Sequence, residues 1–162
     1  MIRDALLTDA PLITNIYNHY IEHSGATMEY NKVEPEYFKK KINSTLSSGH
    51  FWLVAEYEGE IIGYAYSGKW NPRDGYKHTC EISIYISPEI TTKGWGTKLY
   101  TELFTRLKEV NMLVIIAVIT LPNEANIKLH EKFGMTKVAH FPRMGIKFDN
   151  WLDVGYWQLN NN

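Results

Sequence analysis

Three groups of residues have types and spacings that can do chemistry. The first is Thr91-Thr92-Lys93-Gly94-Trp95-Gly96-Thr97, which sets two glycines between the end of an apolar strand and the start of a helix. Backbone N–H groups there can converge on an anion, and the helix dipole adds about 0.3–1 kcal/mol. No Gly-Lys-Ser/Thr follows at triphosphate-loop spacing, and Leu99 stands where a dinucleotide fingerprint needs its third glycine. An ordinary glycine turn is the alternative. The second is Glu81, an acid inside an apolar strand. It is either an outward surface carboxylate or a general base whose acidity burial has weakened. The third runs from Asn123 to Met135, with Asn123 a credible helix cap, Gly134 a credible stop and His130 between them.

Two rival sites are weaker. His19-Tyr20-Ile21-Glu22-His23 fits the H-x-x-E-H pattern of zinc peptidases, but such a site needs a third protein ligand and a larger fold. Cys80 beside Glu81 has no histidine and acid in an order that would make it a nucleophile, so it reads as core packing.

The elements that must position these residues follow from periodicity. A helix is predicted from Asp9 to Glu22, with Leu12, Ile13, Ile16, Tyr17 and Tyr20 as its apolar stripe. A second opens at Pro35 and buries Phe38, Ile42 and Leu46. Phe51–Tyr57 and Glu60–Ser67 form a hairpin through Glu58-Gly59. In the strand Thr79–Ser87, Cys80, Ile82, Ile84 and Ile86 share one face, while Glu81, Ser83 and Tyr85 share the other. A helix bearing Leu99, Leu103, Leu107 and Val110, a strand Leu113–Thr120, a helix Asn123–Phe133 and two or three closing strands complete the chain. This order implies one α/β (α+β) domain over residues 1–162, a mixed central sheet flanked by helices with a right-handed crossover.

Composition narrows the partners. At 44% apolar and 14% aromatic, the chain can bury a real core. Seventeen basic against eighteen acidic residues leave a charge of −1, without the basic surplus that nucleic acid requires. The N-terminus lacks a signal-peptide pattern, and the longest apolar run, Met112–Ile119, is strand-sized, so a cytoplasmic location without membrane association is expected.

The three groups, in this order, resemble the GNAT superfamily of N-acetyltransferases. Its pyrophosphate motif, Gln/Arg-x-x-Gly-x-Gly/Ala, matches Thr91 to Gly96 except at Thr91. Its later motif, Asn-x-x-Ala-x-x-Leu-Tyr-x-x-x-Gly-Phe, matches Asn123, Leu129, Gly134 and, conservatively, Met135; Asn126 replaces the alanine and His130 the tyrosine. The segments Asn18–Glu22, Trp70–Glu81, Ala117–Asn123, Leu129–Glu131 and Trp151–Gln158 are similar to the phosphinothricin acetyltransferase group. The resemblance implies acetyl-CoA as co-substrate without a metal, a small amine or amino-acid acceptor and a homodimer. It implies Glu81 as general base and His130 as a second proton-transfer residue, with Arg73 and Tyr76 near the acceptor. Backbone groups of Ile84, Tyr85 and Ile86 would hold the pantetheine arm, Thr92, Lys93, Gly94, Trp95, Gly96 and Thr97 the pyrophosphate, and Asn123 the cofactor again. Asn71 replaces a lysine of the herbicide-acetylating members, and Phe148 and Leu152 replace two histidines. Those departures set methionine sulfone, methionine sulfoximine and other amino acids beside phosphinothricin as expected acceptors. An acetyl-CoA-binding sensor on the same fold is the non-enzymatic alternative, against which the pair Glu81 and His130 argues.

Overall fold

The computed structural model describes residues 1–90 and 92–161. The chain opens with a short strand that periodicity did not signal, β1 (Ile2–Asp4), antiparallel to β2 (Trp52–Tyr57). Arg3 holds it there: its guanidinium bonds both carboxylate oxygens of Asp9 at 2.8 and 3.0 Å and reaches Glu56 at 2.8 Å. Asp9 also accepts the Leu6 N–H, so the chain turns directly into α1 (Ala10–His23). Helix α1 buries Ile13, Ile16, Tyr17 and Ile21, whereas Leu12, expected in the stripe, is exposed. Helix α2 (Pro35–Ser47) buries Phe38, Ile42 and Thr45; Leu46, also expected inside, faces out.

Strands β2 and β3 (Glu60–Lys69) turn at Glu58-Gly59, both in the left-handed region, which suits the two-residue hairpin turn. Then follow β4 (Thr79–Ile86), α3 (Trp95–Glu109), β5 (Val114–Leu121), α4 (Glu124–Lys132), β6 (Thr136–Lys147) and β7 (Asn150–Asn160). The sheet order is β1-β2-β3-β4-β5-β7-β6, antiparallel except between β4 and β5. Helix α3 buries Leu99, Leu103 and Leu107 with Cys80 and Ile82 on one sheet face, while Val110, expected on that stripe, ends the helix exposed. Helices α1 and α2 cover the other face of β2–β4, over Trp52, Val54 and Tyr64. Between these helices, the loop after α1 is pinned to the β6–β7 hairpin by Lys147, whose buried ammonium donates to the Thr27 carbonyl at 2.7 Å.

Candidate active site

The parallel strands β4 and β5 pair over only three registers, Thr79↔Val114, Cys80↔Ile115 and Glu81↔Ile116. Beyond Glu81 the β4 strand stays paired with β3 as far as Ile86, while β5 continues against β7. The two strands therefore part, and the β5-facing backbone groups of Ser83–Ile86 have no strand beside them. A cavity of about 280 Å³ occupies the split, lined by Ser83, Ile84, Tyr85 and Ile86 on β4 and by Asn123, Asn126, Leu129 and His130 around α4. Tyr20 closes one side by donating its hydroxyl to the Ile86 carbonyl at 2.5 Å.

At the mouth, α3 begins from Gly94, whose φ of 101° is left-handed and suits glycine. The first intrahelical bond runs from the Lys98 N–H to the Gly94 carbonyl, so helix geometry leaves the N–H groups of Trp95, Gly96 and Thr97 without helical acceptors. Thr92, Lys93 and Gly94 are exposed, but the Trp95 side chain is in the core, so only its backbone can meet a ligand. A Cβ on Gly96 would stand 3.1 Å from the Leu129 side chain and 3.7 Å from that of Ile84, a tight fit where α3 approaches α4. Lys132 of α4 donates to the Thr97 hydroxyl at 3.2 Å and adds a cation at this mouth. Thr91 lies outside the described residues.

Glu81 stands where the strands part, half-buried on the face opposite the α3 core. Burial pushes its carboxyl above the usual carboxylate range, and the charge of Lys41 pulls part of the way back. His130 is buried from the α4 side. Its Nδ1 lies 2.7 Å from the Asn126 carbonyl, which can only accept, so the proton sits on Nδ1. Nε2 then accepts the Tyr100 hydroxyl at 2.8 Å. Burial lowers the His130 pKa, so the ring is neutral near pH 7. Both nitrogens are committed, and the Tyr100 hydroxyl extends the pair toward the cavity that both residues line. Spacing put Leu99, Leu103 and Leu107 on the core side of α3 and gave no sign of Tyr100 or its partner.

Residues 2–155 match the family model described as the acetyltransferase (GNAT) domain. The chain belongs to the GNAT acetyltransferase family. A phosphinothricin N-acetyltransferase from Streptomyces viridochromogenes is 36% identical over 157 residues, 97% of this chain and 85% of that protein. An L-methionine sulfoximine/L-methionine sulfone acetyltransferase from Salmonella typhimurium is 35% identical, over 98% of this chain and 92% of its own. The crystal structure of a phosphinothricin acetyltransferase from Sinorhizobium meliloti in complex with acetyl-CoA superposes with a TM-score of 0.96 at 31% identity, covering 100% of this chain and 88% of that one. The protein is an acetyl-CoA-dependent N-acetyltransferase. The open β4 edge suits an amide-bearing arm, and the α3 amides with Lys132 suit a pyrophosphate.

The residues expected on the acceptor side are more dispersed. Arg73 and Tyr76 lie exposed in the β3–β4 connection, where Tyr76 meets Trp70 edge-to-face at 5.2 Å. Trp70 and Tyr76 open onto an apolar groove of about 460 Å³ with Thr79, Ile116, Phe141 and Tyr156, on the part of the sheet face that α1 and α2 leave bare. Thr79 is the same-face neighbour of Glu81 and Ile116 its cross-strand partner, so the groove runs up to the carboxylate. Of the departures, Leu152 packs where a Cβ on Gly25 would stand 2.7 Å away, and Phe148 is exposed beside Lys147. The His19 and His23 rings lie 4.6 Å apart, tilted by 42°, and among the described residues no group of three metal-ligating side chains forms. Cys80 is fully buried and its thiol is pushed up to about 12, which removes it as a nucleophile.

Proposed function

We propose that this enzyme transfers acetyl from acetyl-CoA to the amine of a small amino acid by direct attack, with Glu81 as general base. The observation that carries the reading is the position of Glu81, a carboxyl of raised pKa at the point where β4 and β5 part. The acceptor ammonium gives a proton to Glu81, directly or through water, and the amine attacks the thioester carbonyl. A β4 backbone N–H polarises that carbonyl; the C–S bond breaks as the amide C–N bond forms. The nitrogen loses its second proton as the C–S bond breaks, and the departing thiolate takes up a proton from the Tyr100 hydroxyl, which turns to it from His130 Nε2 and regains a proton through solvent. Arg73 and Tyr76 hold the acceptor carboxylate, a role suited to a guanidinium fork. Relatives named for methionine sulfoximine, methionine sulfone and phosphinothricin support an amino-acid acceptor.

The same reading includes a homodimer. Val138, Phe141, Met144 and Ile146 of β6 are all exposed, an apolar surface of the sort that association buries.

The deciding experiment measures free-thiol release from acetyl-CoA with L-amino acids, methionine sulfone, phosphinothricin and their decarboxylated amines. Amino acids are expected to react and decarboxylated amines to react poorly; equal rates would sink the amino-acid assignment. Sedimentation of the active species at the 18.8 kDa chain mass would sink the dimer.

A further inference from the structure

Lys41 is the cation that periodicity left unremarked. Helix α2 turns Phe38 and Ile42 into the core, and Lys41 sits at the margin of that face, partly buried. Its ammonium lies 4.8 Å from the centre of the Tyr66 ring and 5.8 Å from that of Tyr37, and it donates to the Tyr66 hydroxyl at 2.9 Å. Among the described residues no carboxylate lies within ion-pair distance of it, and Tyr66 is its one hydrogen-bond partner. An ammonium has three donors, so two remain.

The register shows what lies beside Tyr66, the residue that Lys41 bonds. Tyr66 pairs with Ser83 and Gly68 with Glu81, so Tyr66 and Glu81 are diagonal neighbours on one face, about 7–8 Å apart at the backbone. A Cβ built on Gly68 would meet nothing within 4 Å, so the space beside the Glu81 carboxyl is open. The charge of Lys41 reaches Glu81 across it, and Glu29, bonded by the Tyr37 hydroxyl, faces Lys41 from the loop after α1. On the other side of Gly68, Trp70 leads into the connection that carries Arg73. From Tyr66 to Trp70 is four residues, about 13 Å of extended chain, and Glu81 stands opposite Gly68 midway along it.

We propose that Lys41 is a specificity-determining residue of the acceptor site, binding a second anionic group and so favouring α-amino acids with an acidic side chain. This rests on the amino-acid reading above, with the α-carboxylate at Arg73, the amine at Glu81 and the side-chain anion at Lys41.

The test compares L-glutamate with L-glutamine, its neutral isostere, in the wild type and in Lys41→Met. Wild type should prefer glutamate in kcat/KM. The substitution should cut glutamate roughly ten- to hundred-fold while sparing glutamine and the acetyl-CoA KM. The wild-type preference is a readout even if the variant does not fold. Equal use of the two acceptors overturns the role of Lys41 and leaves the amino-acid reading standing. So does an equal loss on both in Lys41→Met with an upward shift of the acid limb, since Lys41 would then act on Glu81 alone. An enzyme that acetylates no amino acid overturns both readings.

Discussion

On the α3–α4 face of the sheet, Ile82, Leu99, Leu103 and Leu107 close an apolar interior in which Tyr100 and His130 satisfy each other. On the α1–α2 face, Trp52 stacks on Tyr66 at 4.1 Å and Tyr64 on Tyr85 at 5.4 Å, and this aromatic floor ends at Lys41 and Glu81. On the reading proposed above, the difference follows from what each face recognises, the cofactor on one and the acceptor on the other. The cofactor side offers backbone amides and a shaped gap, which depend on where strands part and a helix starts. The acceptor side offers side-chain charges, any of which one substitution can replace.

Three substitutions bear on that contrast. Glu81→Gln keeps the shape and removes the proposed base, so kcat should fall about 10²-fold or more while acetyl-CoA affinity stays nearly constant. Because Glu81 must be ionised to act and burial raises its pKa, wild-type activity should decline as pH falls through a value above the ordinary glutamate pKa of about 4.3. Activity within a few-fold of wild type at Glu81→Gln would move the base to the other face.

Gly96→Val should act through packing. Its Cβ would press on Leu129, and overpacking of this kind costs about 1–3 kcal/mol. Thermal midpoint and acetyl-CoA affinity should fall together while acceptor preference holds. Calorimetry giving unchanged acetyl-CoA affinity in the folded variant would break the assignment of the α3 start to the cofactor.

Tyr100→Phe is the mildest. It leaves His130 Nε2 buried without its donor, an omission worth about 1–3 kcal/mol of stability. With it should come a modest loss of kcat and no change in acceptor preference. A variant as stable and as fast as wild type would show that the pair is dispensable.

What the sequence disclosed follows the same division. Alternation sorted Cys80 and Ile82 from Glu81 correctly, because a strand has only two faces and each is filled differently. Asn123 was legible as a cap and accepts the Asn126 N–H at 3.3 Å. Helix stripes came out too wide: Leu12, Leu46 and Val110 satisfy the spacing yet lie at the margin or end of their helices, where no second layer covers them. Strand β1 is three residues long, too short for a period, and depends on Arg3 finding Asp9 and Glu56. Lys41 and Tyr100 were illegible because their partners, Tyr66 and His130, lie 25 and 30 residues away. Pairing at that distance leaves no local pattern.

On the reading proposed above, the parting of β4 from β5 makes the bound cofactor a substitute for a missing strand. Between Ser83 and Ile86 the sheet has an interior edge with no strand beside it, where the Tyr20 hydroxyl already caps the Ile86 carbonyl. An extended chain of amides laid along that edge completes the ladder. Loading the enzyme is then also the last step of building its sheet, and amide exchange at those residues should slow on binding. Stability should climb with acetyl-CoA concentration as the logarithm of its excess over Kd.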